Sequence, residues 1–330
     1  MAHRVVLLPG DGIGPEVADA TVAVVDATGA GIEWEEVVIG SRAMVSHATP
    51  LPESALERIR TAGIALKGRI LPGPGSTMTN PNVELRRALG LFAQVRPAKG
   101  LPGCAYPALD LVEVRECTEG EYAGLEHRVV PGVVQSIKVV TDQACSRIGE
   151  FAFGYAERCG RKKVTAVHKA NIMKLSDGLF LDSVRRVTKR HPAVAYEELI
   201  VDNTCMQLVL DPSRFDVLVM ENFYGDLVAD LCTGLAGGIS ASRAASFGEK
   251  VAVFEAVHGE APALVGRNLA NPLPLLGSAV LMLEHLGESA AADVIERAVR
   301  RVFEERKVVT RDLGGNARTM EMARAIIANL

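Results

Sequence analysis

The 330-residue chain sets 36 Lys and Arg against 40 Asp and Glu, a formal net charge of −4, so no general attraction to nucleic acid or to an anionic membrane is built into it. No apolar run approaches the roughly 18 residues of a membrane span, and the 6 cysteines (Cys104, Cys117, Cys145, Cys159, Cys205, Cys232) form no Cys-x-x-Cys pair, which argues against a zinc site or a disulfide framework. The length predicts about two globular domains; the opening Met1–Pro9 is too short and too soon interrupted for a signal peptide, so a reduced cytoplasmic protein is expected.

In chain order, Arg4–Leu8 reads as a strand, Gly10-Asp-Gly-Ile-Gly-Pro-Glu16 as a tight glycine turn, and Val17–Thr28 as a helix, the opening of an α/β unit. Gly14 is followed by proline, so the dinucleotide fingerprint fails; Pro15 suits a helix N1 position and Glu16 the helix dipole. Ser54–Ala62 is helical in pattern and Gly63–Lys67 a buried strand. Gly73–Asn82, rich in Gly, Pro, Thr and Asn, is a ligand-facing loop running into a helix over Val83–Phe92.

Asp110–Arg115 alternates as a strand and is expected to pass into a loop ending at Glu126-His127. Val129–Val140 has the alternation of a hairpin around Pro131-Gly132. Gln143–Cys159 is an amphipathic helix, Lys163–Ala166 a strand leading to His168-Lys-Ala-Asn-Ile-Met-Lys174, and Leu179–Thr188 a helix. The strand Glu198–Val201 places Asp202 at its end. Arg86, Arg96 and Arg115 fall at ends of elements, where guanidinium groups can clamp a polycarboxylate bidentately.

The strand Phe215–Met220 runs into Asn222-Phe-Tyr-Gly-Asp-Leu-Val-Ala-Asp230. With a helix beginning near Gly225, Asp226 and Asp230 stand at i and i+4 on one face, where two carboxylates repel unless a cation lies between them. Oxygen ligands suit Mg2+ or Mn2+, whereas two solvated aspartates in a first helical turn are the plain alternative. Val251–Gly259 is strand then loop; helices follow over Pro274–Leu286, Ser289–Arg306 and from Ala317.

Taken together these stretches resemble the metal-dependent β-decarboxylating dehydrogenases, the isocitrate and 3-isopropylmalate dehydrogenase family, over essentially the whole chain. The most specific parts are Leu91–Pro97, Val114–His127, Val167–Lys174, Asn222–Asp226 and Glu255–Gly259, and they look like the NAD-dependent isocitrate dehydrogenase type. The resemblance implies a two-domain α/β fold that is not a Rossmann fold, with a large cofactor-binding domain over 1–99 and 253–330. A small domain over 100–252 would carry the metal site and, at about 127–141, an intersubunit clasp, with the active site in the cleft between domains.

By the same resemblance Asp226, Asp230 and Asp202 are metal ligands, Asp202 and Lys169 reaching in from the other subunit of a homodimer. Lys169 with Asp202 takes the proton of the substrate hydroxyl, and Tyr122 protonates the enol. Arg86, Arg96 and Arg115 hold the carboxylates of a 2-hydroxy polycarboxylate, with Asn80, Asn82 and Asn171 beside them. Glu255, His258, Gly259, Ala263, Asn271 and Asp312 belong to the cofactor site. The implied activity is oxidative decarboxylation of isocitrate or a close anionic 3-substituted malate with reduction of NAD.

Four positions depart from the family pattern. Ala263 stands where NAD users carry an acidic residue and NADP users a lysine; NAD is favoured, and Arg267 or Arg311 leaves NADP open. Asn80 replaces a serine, which leaves room for homoisocitrate or a phosphonomethyl malate besides isocitrate; the further readings are a 3-isopropylmalate dehydrogenase and a non-catalytic regulatory subunit. Cys117 replaces an asparagine and Glu221 a proline.

Overall fold

The computed structural model describes residues 2–73, 75, 76 and 80–330; Thr77-Met-Thr79 of the expected substrate loop lies outside the described residues. The chain divides into two compact units, Met1–Gly90 with Leu101–Cys104 and Gly237–Leu330, and Leu91–Gly100 with Ala105–Ala236.

The first unit opens with β1 (His3–Leu8), α1 (Gly14–Ala27), β2 (Ile32–Glu36), α2 (Ser41–His47), α3 (Glu53–Ala62), β3 (Ile64–Lys67) and α4 (Pro81–Ala88). The second holds β4 (Ala93–Lys99), β5 (Asp110–Glu116), β6 (Gly120–Val130), β7 (Val133–Val139), α5 (Asp142–Arg158), β8 (Lys163–His168), α6 (Ser176–Thr188), β9 (Ala195–Ile200), α7 (Val201–Leu210), β10 (Val217–Met220) and α8 (Asn222–Leu235). The chain then returns to the first unit as β11 (Ala244–Phe247), β12 (Ala252–Glu255), α9 (Leu273–His285), α10 (Ser289–Glu305) and α11 (Thr319–Ile327).

In the first unit the strands lie in the order β2-β1-β3-β12-β11, parallel except for β11 against β12. Parallel strands covered by helices read as continuous apolar runs, as in Val5-Val-Leu-Leu8, and α1, α9, α10 and α11 bury Val17, Val24, Leu276, Ile295 and Met322 into one core. The glycine turn before α1 is forced by close approach: a Cβ on Gly14 would lie 2.1 Å from the Pro9 carbonyl oxygen. Behind it, buried Asp11 accepts from the Leu71 amide at 2.7 Å and from Ser41.

In the second unit the order is β4-β5-β10-β8-β9, with β4 antiparallel and the rest parallel. All of Val217-Leu-Val-Met220 is buried, the pattern of a central parallel strand. Among the described residues, strands β6 and β7 pair only with each other, as an antiparallel ribbon. Among the described residues no helix is long and apolar enough to cross a membrane.

Several boundaries differ from those the sequence suggested. Residues 93–99 pair along their whole length with β5 and so join the second unit, while 237–252 join the first through β11 and β12. The stretch expected as a loop after Glu116 is already strand from Gly120, because β7 supplies a partner that local pattern does not reveal. Helix α8 starts at Asn222 rather than near Gly225, and α4 stops at Ala88 rather than Phe92.

Candidate active site

The densest functional cluster is built on one face of the β4–β5 pair. Arg96 of β4 lies directly opposite Glu113 of β5, and Gln94 opposite Arg115, so these four side chains share a face. Helix α8 packs onto that face at Gly225, where a Cβ would come within 2.5 Å of Arg115 Cγ and 2.9 Å of Glu113 Oε1. A side chain there would push the helix off the sheet.

The close approach brings each of the two α8 aspartates to an arginine. Arg96 Nη2 donates to Asp230 Oδ1 at 2.8 Å and to Thr233 Oγ1 at 3.1 Å; Arg115 Nη1 pairs with Asp226 Oδ1. The repulsion between two i, i+4 carboxylates is thus relieved by a separate guanidinium on each. Arg115 is fixed by Asn222 Oδ1, which accepts from Nε at 3.0 Å and from Nη2 at 2.7 Å, and its guanidinium lies 5.0 Å from the Tyr122 ring centroid. The Tyr122 hydroxyl donates to Asp226 Oδ2. Burial, then the bond to and charge of Asp226, raise the Tyr122 pKa, so the phenol stays a proton donor across the neutral range. Glu113 is fully buried, and burial pushes its carboxyl up to about 8, with Arg96 and Arg115 opposing and Asp226 and Asp230 reinforcing the shift.

A second group lies at the ends of β8 and β9. Lys169 Nζ pairs with Asp202 Oδ1, and this bond lowers the pKa of exposed Asp202. The Lys169 amide donates to Oδ2 of fully buried Asp177 at 2.7 Å. Asp177 Oδ1 and Glu221 Oε2 both accept from Lys138 Nζ of β7, at 2.7 and 2.6 Å. Burial works against the Lys138 charge, yet these two carboxylates raise its pKa. Glu221, with no role assigned from sequence, is therefore an anchor for the ribbon rather than a surface charge; Cys117 Sγ donates to the Arg115 carbonyl at 3.5 Å. Asn171 is exposed in the turn after β8. Among the described residues no three His, Cys, Asp or Glu side chains are grouped as a metal site, so Asp202 does not join Asp226 and Asp230 within one chain.

In the first unit, Lys67 at the end of β3 is 1% exposed, and burial lowers its pKa. Its ammonium donates to Asn82 Oδ1 at 2.9 Å and the Gly68 carbonyl at 3.0 Å, and lies 3.3 Å from Glu255. Arg86 Nη2 donates to Glu255 Oε1 at 3.0 Å. Burial alone would raise the Glu255 pKa, but Arg86, Lys67 and the Ser246 hydroxyl hold it far below the usual range. Glu255 therefore orients Arg86 and Lys67. Asn82 also donates to the Ile70 carbonyl at 3.0 Å, while Asn80 caps α4 by accepting from the amides of Asn82 and Val83. Lys67 and Glu113 carried no motif of their own; their burial is what marks them.

The residues expected to hold the cofactor also lie in the first unit. His258 is buried, its Nδ1 3.1 Å from the Gly259 carbonyl, and burial lowers its pKa. Asn271 Nδ2 donates to Ser240 Oγ at 2.7 Å and Asp312 Oδ2 at 2.8 Å, and Glu16 accepts from the amides of Asn268 and Ala270. Ala263 is exposed, and its carbonyl accepts from Arg267 Nη1 at 3.2 Å.

The model of a protein family described as isocitrate/isopropylmalate dehydrogenase matches residues 4–326. The chain belongs to this family. It is 47% identical over 331 residues to a regulatory chain of the mitochondrial NAD isocitrate dehydrogenase of Dictyostelium discoideum, covering 99% of this chain and 92% of that one. It is equally 47% identical to catalytic subunit 5 of the mitochondrial NAD isocitrate dehydrogenase of Arabidopsis thaliana, over 98% of this chain and 87% of that one. The crystal structure of isocitrate dehydrogenase from Methylococcus capsulatus superposes with a TM-score of 0.92 at 45% identity, covering 99% of each chain.

The family implies a dinucleotide and a divalent metal, and the residues present fit both. Asp226 and Asp230 offer hard oxygen donors one helical turn apart on a partly exposed face, their side chains 40% and 75% exposed. Nε2 of His258 is buried without a partner among the described residues, a polar atom open to a bound ligand.

Proposed function

We propose that the protein is an active oxidative decarboxylase of isocitrate, or of a close malate with an anionic 3-substituent, and that it reduces NAD. The observation that carries this reading is the clustering of Tyr122, Arg96 and Arg115 on the two aspartates of α8. NAD is favoured because nothing basic replaces the usual acidic residue at Ala263, in keeping with relatives named for NAD.

In this reading Arg86, Arg96 and Arg115 bind and orient the substrate carboxylates. The Lys169–Asp202 pair takes the C2 hydroxyl proton while hydride leaves C2 for the nicotinamide. The bond from C3 to its carboxylate then breaks, CO2 departs, and the electron pair stays as an enolate that Tyr122 protonates at C3. A bound Mg2+ or Mn2+ supplies Lewis-acid stabilisation of the developing negative charge. A homodimer is part of the proposal, because Lys169 and Asp202 form a group of their own in this chain and would serve the partner's cluster.

The test is dinucleotide reduction by the purified protein with Mg2+ or Mn2+, using isocitrate, homoisocitrate, a phosphonomethyl malate and 3-isopropylmalate with NAD and NADP. Metal-dependent turnover of isocitrate with NAD is the expected result. Turnover of another anionic analogue alone would move specificity to the Gly73–Asn82 loop. The second reading, a regulatory role without catalysis, is favoured by the likeness to a relative named as regulatory; silence with every substrate would select it.

A further inference from the structure

Both carboxyl oxygens of Glu113 are buried with no hydrogen-bond partner among the described residues, and so is Nε of Arg96, which stands directly opposite across the β4–β5 pairing. A buried donor and a buried acceptor left open on facing positions destabilise the fold. Such an arrangement needs a state of the protein in which they are used.

Arg96 from β4 and Arg115 along β5 flank the Glu113 carboxyl, Asp226 and Asp230 face it from α8, and β10 sets only Leu218 opposite it. As the structure stands, Asp230 and Asp226 neutralise the two guanidiniums. The metal-dependent reading gives those same aspartates to a divalent cation. Once they turn to the cation, two arginines whose side chains are 6% and 4% exposed lose their counter-charge, and a stranded buried charge is strongly unfavourable.

We propose that Glu113 is a positioning residue, an internal counter-charge that takes over Arg96 and Arg115 when Asp226 and Asp230 engage a divalent cation. The inference rests on the metal-dependent reading of the site. Glu113 replaces the counter-charge that the two aspartates withdraw from the guanidiniums, and so lowers the cost of cation binding.

The test measures two ligands separately on the unaltered protein and on Glu113→Gln: Mn2+ without substrate, and tricarballylate, a tricarboxylate with no hydroxyl to oxidise, without metal. Glutamine keeps the shape and removes the charge. Mn2+ binding is expected to weaken about tenfold, equivalent to roughly 1.4 kcal/mol, while tricarballylate binding holds or tightens. A packing defect would weaken both ligands together, and that result, or unchanged Mn2+ affinity, overturns the proposal. If the glutamine variant does not fold, Glu113→Asp tests the same point: retained charge should keep Mn2+ affinity within about threefold, and a loss of about tenfold or more overturns it. Absence of Mn2+ binding by the unaltered protein would instead defeat the metal-dependent reading itself.

Discussion

At the scale of single residues, the functional side chains neutralise one another. Asp226 accepts from both Tyr122 and Arg115, so one carboxylate ties the proposed acid to a proposed substrate arginine. Replacing Tyr122 by phenylalanine leaves that arginine in place and removes the proton donor. Turnover should fall roughly 100- to 10,000-fold, the range for a lost general acid, with KM little changed in steady-state assays. Glu113 makes a second prediction, for stability. Its folded-state pKa of about 8 lies above the ordinary carboxylate value of 4.5. Between those values the folded chain keeps a proton on Glu113 that the unfolded chain has released, so the contribution of Glu113 to stability falls as pH rises through that window. Urea unfolding at about pH 5.5 and about pH 8.5 should show Glu113→Gln gaining on the unaltered protein at the higher pH. The spacing of Asp226 and Asp230 was readable from the chain; their pairing with Arg96 and Arg115, 134 and 111 residues away, was not.

At the scale of elements, the site depends on two helices held against strands by buried polar contacts. Helix α8 starts at Asn222 because Asn222 is committed to Arg115 and to the Glu119 carbonyl, at 2.7 and 2.9 Å, and is drawn into the interior. Gly225 alone had suggested a later start. The root of the β6–β7 ribbon is held by Lys138, which bridges buried Asp177 at the start of α6 and Glu221 just before α8. Lys138→Met removes the shared cation and leaves two buried carboxylates unpaired. Breaking such a pair from one side costs about 3–5 kcal/mol, and denaturant unfolding should show a loss of that order. Because Asp177 also holds the Lys169 amide, turnover should fall alongside.

At the scale of the whole molecule, the β6–β7 ribbon carries its apolar residues outward. Leu125, Val129, Val130, Val133, Val134 and Ile137 are 47–63% exposed, and a two-stranded ribbon is at best marginally stable alone in water. In the proposed homodimer this ribbon is the clasp, covered by its counterpart. Val134→Glu, at a position 63% exposed, should fold as a single chain yet shift the mass measured by light scattering from dimer towards monomer. Activity should fall with it, because Lys169 and Asp202 would no longer reach a partner's aspartates. An unaltered dimer with full turnover would count against both the clasp and the shared site.

What the sequence determined by itself was whatever is local or carried by an ordered set of motifs: the α/β class, the glycine turn before α1, the i, i+4 aspartates and the family. These depend on periodicity, on turn chemistry and on residue types at fixed spacing, all written along the chain. Tertiary structure decided the partners. Lys67 sits in an apolar strand pattern, and only the fold shows it buried against Asn82 and Glu255. Glu113 reads as the polar half of an alternating strand until α8 closes over it at Gly225. Burial decides whether a charge is solvated or must find a counter-charge, and burial is set by which distant elements pack together.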